Sequence, residues 1–213
     1  MSNNIDKSKL VYVNIVWMKY YRGLSKKDEI SPKTGGGSHP QEHLDAIEAT
    51  MNLKSNNKVY NTAFVGGYTD SFGDNKWKKL NLKDHFEDTD GEKVEDCTVV
   101  WVAQKNQNKQ EPHYIVGWWE NATLLRYYKR IKFYSNSNLI SKDYNIFTDA
   151  ERAYLIKEKF RDFEVPRQRD LGYGFGQSNI WYAEEEQAKQ FKKKTINYIS
   201  ELKENKRLKI TQP

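Results

Sequence analysis

Between Cys97 and Tyr134 the chain carries little that a helix would use. Two segments rich in β-branched and aromatic residues, CTVVWVAQ (97–104) and HYIVGWWE (113–120), flank the polar stretch KNQNKQEP, and ATLLRYYKRIKFY (122–134) follows almost without a break. Residues of this kind pack well on a pleated surface. The polar stretch between them predicts a hairpin loop, longer than the tight two-residue types. An antiparallel sheet is therefore the expected scaffold, and the rest of the chain has to supply what covers it.

KLVYVNIVWM (9–18) reads as a further buried strand, and KVYNTAFVGGY (58–68) as another that ends at a glycine pair. The charged segment 73–96 is expected to be irregular, with WKKLNL as a short edge strand. Three segments have helical signatures. PQEHLDAIEATMNL (40–53) has Pro40 in its first turn and Leu44, Ile47 and Met51 on one face. TDAERAYLIKEKFRDF (148–163) opens with a capping-box pair, Thr148 and Glu151. Residues 184–207 begin with three glutamates, continue with lysines and carry a stripe of Phe191, Tyr198 and Leu202, an order that suits the helix dipole. VPRQRDLGYGFGQSNIWYA (165–183) reads as a glycine-rich loop returning to the core through Ile180 and Trp181. The predicted fold class is α+β: a strongly curved, antiparallel-rich sheet or small β-barrel with an early helix and a C-terminal helix. Residues 1–183 are expected to form one domain and 184–213 an amphipathic helix and tail.

At 213 residues a single core suffices, because folding at this size buries roughly 70% of the unfolded chain's surface. Mean hydropathy is only −0.94, but 14% aromatic residues, with 6 Trp and 14 Tyr, supply large buried areas. Cys97 is the sole cysteine, so an internal disulfide and a thiolate zinc site are both excluded. The N-terminus lacks the apolar core of a signal peptide, and no apolar run approaches ~18 residues. The expected location is the cytoplasm, with no membrane partner.

Charge narrows the partner class. The net charge is +6, which favours polyanions. It is also uneven: KDHFEDTDGEKVED (83–96) is strongly acidic, whereas RYYKRIKFY (126–134) holds four cations and no anion.

Several catalytic patterns fall away on inspection. His39-Pro-Gln-Glu42-His43 spells the H-x-x-E-H of inverted zinc peptidases, but Pro40 makes His39 a cap residue and no second motif marks a third ligand. Gly35, Gly36 and Gly37 precede a helix start without the lysine of a nucleotide-hydrolysing loop. Such a run still exposes backbone N–H groups that suit one phosphate of a nucleic-acid backbone. GYGFGQ (172–177) has G-x-G-x-G spacing and no βαβ context. A metal-dependent nuclease would want paired carboxylates and a lysine; Glu92, Asp96 and Lys105 approximate that set, but Ala103 and Gln104 stand where the second carboxylate belongs. No catalytic residue, metal or cofactor is assigned.

What remains is the meeting of large rings with cations and amides in VWMKYYRG (16–23), VGWWENATLLRYYKR (116–130) and SNIWYA (178–183). Binding an unstacked base takes ring faces for stacking and cations for the flanking phosphates. The expected base pocket draws on Trp17, Tyr20, Trp118 or Trp119, and Trp181; adjacent strand positions face opposite ways, so one of Trp118 and Trp119 at most lines it. Arg22, Arg126, Lys129 and Arg130, with Gly35, Gly36 and Gly37, are the expected phosphate contacts.

TVVWVAQ…HYIVGWWENATLLRYY, with TGGGSHPQEH…ATMNL and GFGQSNIWYA, resembles a prokaryotic module found alone or ahead of nuclease domains in modification-dependent restriction proteins. Such modules are similar in role to the EVE, ASCH and YTH readers of the PUA-like superfamily, small β-barrels that take a modified base into an aromatic cage. The resemblance spans about residues 10–183. It implies a non-catalytic reader of modified bases in DNA, acting in restriction or defence, with cleavage left to a nuclease partner or to a nuclease domain absent after Pro213. Two rival readings stand beside it: a small restriction-type nuclease built on Glu92, Asp96 and Lys105, and an adaptor that binds protein through an aromatic face and the acidic 83–96 segment.

Overall fold

The computed structural model describes residues 9–23, 28, 47–63, 67–69, 75–77, 79–87, 89–105, 111–135, 137–205 and 208–210. The mixed α+β fold is organised around β6 (Lys93–Gln104) and β7 (His113–Ser135), which pair antiparallel. β7 spans 23 residues, so the segments 113–120 and 122–134 are one strand. On one side of this pair β1 (Leu10–Ile15) joins β6 in parallel, and β11 (Ile180–Trp181) joins β1. On the other, β8 (Asn138–Asp149) pairs with β7, β3 (Lys58–Asn61) with β8, and β2 (Lys54–Ser55) with β3. β9 (Ala153–Ile156) and β10 (Glu164–Val165) also dock on β7, completing a ten-stranded sheet with β12 (Leu208–Ile210). β4 (Gly67–Thr69) and β5 (Asn75–Trp77) form a separate two-stranded sheet.

The sheet is open rather than a closed barrel: among the described residues β11 and β2 stand at opposite ends of the strand order. The physical reason lies in β1 and β6. Val11, Val13, Ile15, Val99 and Trp101 enter one apolar cluster, while Leu10, Tyr12, Val100 and Val102 enter another. A small barrel has one interior, whereas these strands are buried on both faces and read as near-continuous hydrophobic runs.

The second face is covered by the helix α3 (Glu186–Glu204), through Ala188, Phe191, Thr195, Ile199 and Leu202. Two shorter helices, α1 (Leu82–His85) and α2 (Gln168–Leu171), lie at the edges. Beyond α3 the chain returns to the sheet, because β12 pairs with β9. The C-terminal helix and the strand after it are thus part of the sheet's own packing. No helix among the described residues is long and apolar enough to cross a membrane.

Two expected helices differ. Across 148–163 the chain forms the end of β8, a 3-10 turn (Ala150–Arg152), β9, and a second 3-10 turn (Glu158–Phe160). Ala153 and Leu155 face the first cluster and Ile156 the second, so two-residue alternation overrides the capping-box pattern. Thr148 does not cap; its hydroxyl donates to the Glu120 carbonyl at 2.7 Å. Of the helix expected over 40–53, the described part is a 3-10 turn (Ile47–Thr50) that sends Ala49 and Met51 into the core; residues 40–46 lie outside the described residues.

Candidate nucleic-acid interface

The indoles do not converge on one opening. Trp118 and Trp119 are both 0% exposed and face opposite sides of β7, as strand alternation requires. Trp118 belongs to the helix-covered cluster: it stacks on Tyr154 with ring centroids 5.0 Å apart and donates Nε1 to Glu120 at 3.1 Å. Lys203 of α3 salt-bridges the same Glu120 and lies 5.0 Å from the Tyr154 ring, tying helix to sheet. Trp119 belongs to the other cluster and meets Trp101 edge to face, centroids 4.8 Å apart. Trp181 stacks on Tyr12 at 4.9 Å and donates to the Glu185 carboxylate at 3.0 Å. Trp17, also buried, lies 4.9 Å from the Arg161 guanidinium and donates to Glu158 at 3.3 Å. The base pocket expected from these four indoles is therefore replaced by two cores on opposite faces of one sheet. Large rings gain most by leaving water, and here the fold gives each of them a packing partner.

Tyr20 and Arg22 occupy a loop held by buried Asp28, whose carboxylate accepts the backbone N–H groups of Lys19, Tyr20 and Tyr21 at 2.6–2.9 Å. Arg161 locks the same loop from behind by donating to the carbonyls of Met18 and Lys19. Tyr20 is half-buried and Arg22 exposed, so this part of the expected site faces outward. Gly35, Gly36, Gly37, His39 and His43 lie outside the described residues.

The remaining predicted cations meet on one element. Beyond Leu125, β7 leaves β6; beyond Ile146 toward the turn, β8 leaves β3. Among the described residues, 129–135 and 138–144 therefore pair only with each other, in register from Lys129↔Tyr144 to Ser135↔Asn138. Six residue steps of about 3.4 Å make this two-stranded ribbon ~20 Å long. Ser137 closes it in a left-handed conformation at φ 65.

Alternation gives the ribbon two unlike faces. The inner one carries Lys129, Ile131, Phe133, Ile140, Lys142 and Tyr144, with Phe133 and Lys142 buried and Lys129 exposed at its far end. Lys142 anchors it, donating Nζ to the Tyr60 carbonyl at 2.7 Å and to the Thr50 hydroxyl at 3.2 Å, while Tyr144 meets Tyr60 edge to face at 4.9 Å. Burial pushes the Lys142 ammonium down to about 7, opposed by the Glu48 charge. The outer face presents three cross-strand pairs: Arg130 with Asp143, Lys132 with Ser141, and Tyr134 with Leu139. Tyr134 is 75% exposed and Leu139 56%.

Two predicted phosphate contacts already hold carboxylates. Arg130 forks onto Asp143 at 2.7 and 3.0 Å, and Arg126 reaches Glu92 at 2.9 Å. Both pairs are solvent-facing, where water and salt screen such bridges, so a phosphate competes for these guanidiniums at little cost. Lys129 and Lys132 are exposed beside them. Across 126–143 the chain sets five cations against one carboxylate.

Elsewhere, groups considered for catalysis take structural places. Glu92 serves Arg126, and Asp96 sits exposed at a β-bulge with φ 59. Cys97 is buried, which pushes its thiol up to about 12. His113 packs on Phe175, with burial and the charges of Arg167 and Arg169 lowering it to about 4. Among the described residues no group of three or more His, Cys, Asp or Glu is placed to hold a metal.

Sequence reasoning missed Lys132, Tyr134, Leu139 and Lys142. The stretch 135–147 had no assignment, yet KFYSNSNLISK alternates on both sides of a Ser-Asn-Ser-Asn turn signal, which is the pattern of a hairpin. Fold and site together define an open-sheet α+β protein carrying a basic, apolar-tipped β-ribbon. Comparison with protein-family models, curated proteins and solved structures finds no match to this chain.

Proposed function

We propose that this chain binds DNA, with the β7–β8 ribbon as its contact surface, and that it serves as a non-catalytic recognition protein in restriction or defence. The observation carrying the reading is the ribbon: a two-stranded β-element of the kind that enters a DNA groove, with the exposed Lys129, Arg130 and Lys132 along it against the single carboxylate of Asp143. Ribbon cations of this kind bind phosphates by releasing condensed counterions. The preference for a modified base, and a nuclease partner that would cleave, draw their support from the sequence resemblance. Trp17, Trp118, Trp119 and Trp181 have no part in it as packed here.

Titration of modified and unmodified duplexes over a range of salt tests the proposal. Association is expected to weaken with a log–log slope of about −3, as three phosphate contacts require. Affinity that is absent, or indifferent to salt, refutes DNA binding; equal affinity for both duplexes refutes modification reading alone.

A further inference from the structure

The outer face of the ribbon ends in a pair the fold itself does not use. Tyr134 and Leu139 stand directly opposite each other one step from the turn, 75% and 56% exposed, while Phe133 and Ile140 supply the apolar contacts of the inner face. A phenol ring and an isobutyl group left this exposed gain little from folding beyond their own cross-strand contact. The same face continues with Lys132 one pair back and Arg130 two pairs back. A surface that is apolar at its tip and cationic behind it complements a stacked polyanion: the cations meet phosphates, and the apolar tip meets the base stack. A protein partner would match the tip alone.

We infer that Tyr134 and Leu139 form a wedge that enters the DNA base stack and parts one base step when the ribbon docks. This rests on the DNA-binding reading above and adds to it what the ribbon does to the duplex. Apolar side chains inserted between base steps unstack and kink DNA elsewhere in the protein world, and an aromatic ring offers the displaced base a new face to stack on. Leu139, held at its side by the cross-strand register, keeps water from refilling the gap. A ribbon that locally opens the stack also gives a base reader its first step, since an extruded base must lose its neighbours before it is inspected.

The test uses the full chain and a duplex with thymines at every candidate step, treated with permanganate, which attacks unstacked thymines. The native protein is expected to raise reactivity several-fold at one or two adjacent steps per bound site. The Tyr134→Ala/Leu139→Ala double variant is expected to keep the salt-dependent affinity within about tenfold and the native melting temperature, but to leave every thymine protected. Lys132→Ala is expected to do the reverse, weakening affinity and the salt slope by about one contact while leaving the reactivity of each bound complex unchanged. Native protein that binds without exposing any thymine overturns the wedge and leaves DNA binding intact. Equal reactivity with the double variant overturns it too. Absence of salt-dependent binding by the native protein overturns both readings together.

Discussion

The strand β7 passes through two regions that differ in nearly every physical respect. From His113 to Leu125 it lies inside the sheet, its residues buried on both faces except at Glu120 and Asn121, with Tyr114 half-covered at the rim. From Lys129 to Ser135 its ladder among the described residues is with β8 alone, and the face of Arg130, Lys132 and Tyr134 is open to solvent. The first stretch holds Trp118 and Trp119 among the aliphatic Ile115, Val116, Leu124 and Leu125; the second sets Lys129, Arg130 and Lys132 before Phe133 and Tyr134. A buried aromatic is a packing element. The same residue type on the solvent face of the ribbon is available to a partner. Ring-rich sequence is thus a poor guide to a pocket until exposure is known.

This contrast can be broken most sharply at the indoles. Trp118→Ala and Trp119→Ala should each lower stability by about 3–5 kcal/mol in urea denaturation, as large-to-small core changes do. If either left stability unchanged and abolished DNA binding, the pocket assignment would return. The next largest effect concerns the ribbon's anchor. Lys142 titrates near 7 when folded and at 10.5 when unfolded, so the unfolded chain holds the extra proton between those values. Stability should therefore rise as pH increases from about 7 toward 10.5, by on the order of a few kcal/mol. Lys142→Met should flatten that rise, and a rise that persists in the variant would assign it to another group.

In the body of the sheet, His113 gives the opposite edge of the pH range. Its folded value near 4 lies below the ordinary 6.5, so the unfolded state binds more protons and stability should fall as pH drops from 6.5 to 4. The loss should be on the order of 1–3 kcal/mol, and His113→Gln should remove it; thermal melts across that window decide. On the ribbon, Lys129→Ala with Lys132→Ala should change stability by less than about 0.5 kcal/mol and yet reduce the salt slope by about two contacts. Smallest of all, Asp143→Asn releases Arg130 from its carboxylate and should tighten DNA binding by no more than a fewfold, since an exposed pair holds the guanidinium weakly.

Much of the sheet is legible in local pattern. β1, β6, β7, β11 and α3 fall where β-branched runs, a returning Ile-Trp pair and an amphipathic lysine-rich stretch place them. The helix expected over 148–163 failed because a capping box is a four-residue signal, and the alternating Ala153-Tyr154-Leu155-Ile156 had a sheet edge to join. The barrel failed for a related reason. One strand's pattern shows that both its faces are apolar, but not that two separate layers are present to cover them. Arg126, Lys129 and Arg130 were readable as a cationic block; Tyr134 and Leu139 were not, because an exposed aromatic in sequence looks the same as a buried one.

The amino-acid order alone specifies an antiparallel-rich sheet, a helix toward the C-terminal end and a block of positive charge near residue 130. Those properties follow from side-chain periodicity and formal charge, which are written in the local sequence. Only the tertiary structure decided which rings are interior and which meet water, because burial is set by the layers that arrive from elsewhere in the chain: α3 over Trp118, the opposing cluster over Trp119, and nothing described over Tyr134.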